Sequence, residues 1–66
     1  MEALLKKYYE AKLTKYSKRM DARGAAIAAK FALDDMAGVV RRNLAIYSST
    51  DAEAILSMEI EDAEAA

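Results

Sequence analysis

No proline interrupts the 66 residues, and only two glycines do, Gly24 and Gly38. Proline breaks a helix by removing a donor and clashing with the preceding turn, and glycine weakens one by its backbone freedom. A chain nearly free of both, and rich in Ala, Leu, Glu, Lys, Arg and Met, has few places where a helix must stop. The expected fold is all-α, a three-helix bundle, with assembly into an intertwined helical homodimer as one outcome. The whole of 1–66 reads as a single helical domain, with 64–66 a frayed acidic tail opposed to the helix dipole.

A domain this short buries a modest fraction of its surface and needs reinforcement. Cys and His are both absent, which excludes disulfides and removes the commonest zinc ligands. Helix packing or self-association must supply the stability. The longest apolar stretch, 25–33, is interrupted by Lys30, so no membrane span is expected. The start of the chain lacks an apolar leader, and a cytoplasmic setting is expected.

Charge is unevenly placed. Residues 1–33 carry a net +5 and residues 34–66 a net −6, for −1 in all. The two halves are expected to attract, within one chain or across a dimer.

The spacing predicts helices over about 2–22, 25–47 and 51–63, where residues about 100° apart sort into faces. In the first, Leu5, Tyr9, Leu13, Tyr16 and Met20 share an arc and form the expected core seam, with Gly24 closing the helix in a left-handed conformation. In the third, Ala52, Ile55, Leu56, Ile60 and Ala63 form the stripe, with Glu59 inside it. Thr50 and Glu53 have capping-box spacing at its start. The second helix places Ala29, Leu33, Met36, Val40, Leu44 and Tyr47 on a broad apolar arc, wide enough for two neighbours. On its otherwise polar side lie Ile27 and Phe31, one turn apart, with Gly38 and Ala45 on the same side.

Candidate chemistry is sparse. Asp34 and Asp35 are adjacent, so on a helix they diverge by about 100° and do not converge on one proton. Glu59, Glu61, Asp62 and Glu64 lack the spacing and central glycine of a calcium loop. Ser48, Ser49 and Thr50 have no histidine to activate them. No enzymatic activity, cofactor, metal or small-molecule substrate is expected.

Two surfaces remain for partners. Lys7, Lys12, Lys15, Lys18 and Arg19, with Tyr8 among them, form a basic face on the first helix that suits a nucleic acid or an acidic protein. Ile27, Phe31, Gly38 and Ala45 form the expected protein interface, since large apolar side chains on a polar face mark such sites. The primary expectation is a non-enzymatic protein-interaction module, binding itself or modulating a protein partner as an accessory or inhibitor.

A different reading starts from the run Ile27-Ala28, Phe31, Leu33, a capping Asp34 or Asp35, then Val40, Arg41, Arg42 and Leu44. Across 27–44 this resembles a helix-turn-helix DNA-binding motif, with Ala32 at the turn and Gly38 where a buried valine is usual. The resemblance implies a small DNA-binding regulator in which Arg41 and Arg42 face the duplex and Ile27 and Phe31 are core. A third reading is a de novo designed bundle without a natural task, because Pro, Gln, His, Cys and Trp are all missing at once.

Overall fold

The computed structural model describes the backbone of residues 2–46 and 49–65, and the side-chain surroundings of 2–44 and 50–65. Three helices follow one another: α1 (Glu2–Ser17), α2 (Ala22–Ile46) and α3 (Ser49–Ala65). No strand occurs among the described residues. The fold is the expected all-α three-helix bundle.

The first connection is set by an aspartate. Helix α1 ends as the Tyr16 carbonyl accepts from the amides of both Arg19 and Met20 at 3.0 Å, a tightened last turn. Asp21 then caps α2. Its Oδ1 accepts the Gly24 amide at 2.8 Å and its carbonyl accepts the Ala25 amide at 2.9 Å. Gly24 is therefore the third residue of α2. It does not close α1, and no described glycine has a positive φ. The expected boundary fell late because an N-cap carboxylate can start a helix before any glycine is needed to end the previous one.

The turn reverses the chain, so Leu5 and Tyr9 lie beside Leu33 and Ala37. Helix α3 runs back in the direction of α1: Leu4 is beside Ser57 and Ile60, and Ala11, further along, is beside Ala63. Helix α1 thus packs against both others, while α2 and α3 touch each other least. The longest dimension of the molecule, 37 Å, is the length of α2, since 25 residues at 1.5 Å each give about 37 Å.

The core joins Tyr8 of α1, Met36 and Val40 of α2, and Ala52, Leu56 and Ile60 of α3. Most of this agrees with the expected stripes of α2 and α3. The face of α1 does not. Tyr8, expected among the lysines, is 4% exposed and is the one fully buried residue of α1. Leu5, Tyr9, Leu13 and Tyr16 are half-buried and Met20 is exposed beyond the end of the helix. The physical reason is that α1 has two neighbours. Leu5 and Tyr9 face α2, Leu4 and Ala11 face α3, and Tyr8 reaches the junction of all three. A single seam describes a helix with one partner, and here it misplaced the centre of the buried arc.

Two other boundaries moved. Helix α3 begins at Ser49, so Thr50 stands inside its first turn and does not precede it. It continues to Ala65. Leu44, expected in the apolar arc of α2, is exposed near the end of that helix. Tyr47 and Ser48 lie outside the described residues, as do the side chains of Ile46 and Ser49.

Candidate protein-interaction surface

Helix α2 is continuous from Ala22 to Ile46. The helix-turn-helix reading of 27–44 is therefore corrected: there is no turn at Ala32, and Asp34 and Asp35 cap nothing. The stretch contains no proline, and alanine is the best helix former, so propensity carries the helix through the place where the motif needs a break. One continuous helix leaves Ile27 and Phe31 outside the core.

Their exposure is high. Ile27 is 52% and Phe31 68% exposed, one turn apart on the side of α2 away from α1 and α3. Together with Lys30 and Asp34 they line a shallow apolar-floored recess. Aligned along the helix at heptad-like spacing, Gly38 follows, half-buried; a methyl group added there would meet only the Arg42 guanidinium, at 3.6 Å. Arg41 and Arg42 are exposed. Ala45 belongs to α2, but its side chain lies outside the described residues.

The basic face of α1 is not assembled as expected. Tyr8 is in the core and has no free ring face on which to stack a base. Lys12 turns inward: its Nζ lies 5.6 Å from the centre of the Tyr8 ring and 5.8 Å from that of Tyr16. Its aliphatic stem covers apolar surface while the ammonium meets the negative ring faces. Lys7, Lys15 and Lys18 line a groove against α3, whose other wall includes Ala63 and Glu64. Glu64 is the one acid of the second half of the chain in this groove. Arg19 lies past the end of α1, exposed.

The ionisation of Tyr8 is displaced as well. Burial raises its phenol above the ordinary 10.0, and the nearby charges of Glu59, Tyr16 and Asp35 raise it further. Glu59, which interrupts the apolar stripe of α3, is half-buried close to this phenol.

One further apolar residue stands out on α3. Met58 is 64% exposed and lies with Ile55, Ala54 and Asp51 on the outer side of α3. Among the described residues no group of three or more acidic side chains is placed to hold a metal, and no helix is long and apolar enough to cross a membrane. No protein family, curated protein or solved structure matches the chain.

Proposed function

We propose that this chain is a non-enzymatic protein-interaction module that binds through the outer face of α2, in the manner of a small accessory or inhibitor protein of the cytoplasm. One observation carries the reading: Ile27 and Phe31 project into solvent from a face otherwise occupied by Lys30, Asp34, Asp35, Arg41 and Arg42. An aromatic and a β-branched aliphatic side chain one turn apart form a compact anchor, the pattern by which a helix offers itself to a groove or to another helix. Burying both contributes about 3–5 kcal/mol of transfer free energy before association costs are met.

The DNA-binding alternative loses the feature that suggested it. Arg41 and Arg42 stand on a continuous helix with no preceding turn to seat it in a groove, and Tyr8 is not exposed. The interaction reading is tested with Phe31→Ala and Ile27→Ala. Neither side chain supports the core, so the variants should fold normally by circular dichroism. They should lose self-association or capture of the protein's binding partner. A chain that is monomeric at high micromolar concentration, and whose Phe31→Ala variant behaves like the parent in both assays, would falsify it.

A further inference from the structure

The outer face of α2 carries a symmetric charge pattern. Relative to Gly38, Asp34 and Asp35 stand at positions −4 and −3, and Arg41 and Arg42 at +3 and +4. All four are exposed. They flank the half-buried glycine one turn away on either side, on the face that also presents Phe31. A two-fold axis passing between two Gly38 residues, perpendicular to both helices, brings positions −4 and −3 of one copy to the level of +4 and +3 of the other. It therefore sets each acid of one copy against an arginine of another.

From this we propose that the occupant of the α2 face is a second copy of the chain, paired antiparallel through α2 with the two Gly38 residues at the crossing. The proposal rests on the interaction reading above and adds to it the partner and the register. Asp34 and Arg41 lie on one side of the Gly38 row and Asp35 and Arg42 on the other, and the axis preserves the side, so Asp34 meets Arg41 of the second copy and Asp35 meets its Arg42, giving four ion pairs around the axis. Phe31, seven residues before Gly38, falls beside the second helix at Ala45. The missing side chain at Gly38 lets the two helices approach closely, since axis separation depends on the side chains at the contact. In the single chain the Arg42 guanidinium lies over Gly38, with its Nη1 3.6 Å from where a Cβ would stand. Pairing swings this exposed side chain outward to the facing aspartate.

Other registers are disfavoured by the same charges. A parallel, in-register pair sets acids against acids and arginines against arginines. An antiparallel pair moved by one heptad toward the N-terminus centres on Asp34 and Asp35 and brings four carboxylates together. Moved the other way, it centres on Arg41 and Arg42 and brings four guanidinium groups together. Repulsion in the wrong arrangements defines a partner as effectively as attraction in the right one. Phe31 supplies affinity and the charges select orientation.

Sedimentation of two charge-reversed variants tests this. Asp34→Arg with Asp35→Arg makes the face wholly basic. Arg41→Asp with Arg42→Asp makes the four positions around Gly38 wholly acidic. Each variant alone should self-associate about tenfold more weakly than the parent or worse, and an equimolar mixture should recover a one-to-one heterodimer that salt weakens. Circular dichroism checks that each variant keeps its helices. If the parent dimerises in a Phe31-dependent way but the charge variants are indifferent, the register is overturned and the interaction face stands. If the parent is monomeric at high micromolar concentration, self-pairing is overturned. A foreign protein whose capture Phe31→Ala abolishes would then hold the face.

Discussion

Asp21 and Gly24 are joined by a 2.8 Å hydrogen bond from the glycine amide to the aspartate Oδ1, and this bond starts the longest helix of the molecule. Removing the carboxylate leaves an amide of the first turn of α2 without its cap. Asp21→Ala should destabilise the protein by about 0.5–2 kcal/mol, measured by urea unfolding, while Asp21→Asn or Asp21→Ser should retain most of that stability.

The two glycines should respond oppositely to alanine. In the single chain the methyl group added at Gly38 has room, with only the flexible Arg42 guanidinium near, so at concentrations too low for self-pairing Gly38→Ala should stabilise α2 by about 0.5–1 kcal/mol. At Gly24 the methyl group would stand 3.0 Å from the Asp21 Oδ1. The cap must shift to accept it, and the gain in helix propensity is offset. A comparison of thermal unfolding midpoints separates the two: Gly38→Ala should rise above Gly24→Ala.

Tyr8 should make the fold sensitive to alkali. Its folded pKa lies above the ordinary 10.0, so the folded state holds the phenolic proton more tightly than the unfolded state does. The stabilisation linked to this proton is complete below pH about 10, and is lost as pH rises from there through the folded value. Tyr8→Phe keeps the ring and removes the titration. Its stability should fall less steeply over that range than the parent's, and ultraviolet titration of the parent should show a late phenolate that the variant lacks.

Leu56 is 0% exposed and is the largest side chain buried so completely. Leu56→Ala should cost about 2–5 kcal/mol, the cost of lost transfer energy plus an unfilled cavity. For a domain of this size that is a large share of the total, and calorimetry should show a broad, low-temperature transition or none. Phe31→Ala in the same experiment should leave the monomer nearly unchanged.

The fold class and the buried stripes of α2 and α3 were legible because each of those helices has its core residues on one arc: Ala29, Met36 and Val40 on one, Ala52, Leu56 and Ile60 on the other. The exposure of Ile27 and Phe31 was legible for the same reason, once α2 was taken as unbroken. Tyr8 was not. A helix with two neighbours buries an arc whose centre depends on where both sit, and periodicity reports only the densest apolar row. Lys12 lies between the two buried rows of α1 and hid them, because its charge reads as surface while its ammonium in fact rests against Tyr8 and Tyr16. Asp21 was overlooked as a cap because Gly24 offered a familiar stop signal three residues later.

Helix α1 is the common neighbour, and α2 and α3 have little to say to each other directly. Opening of the molecule should therefore proceed unevenly. With its acidic end next to the lysines of α1 and its apolar side on Tyr8, α3 can peel from the α1–α2 hairpin without disturbing the Asp21 turn. Its amides should exchange with solvent before those of the hairpin, and a protease should reach it first. The outer face of α2 would survive that excursion, leaving Ile27 and Phe31 on display on a partly unravelled chain.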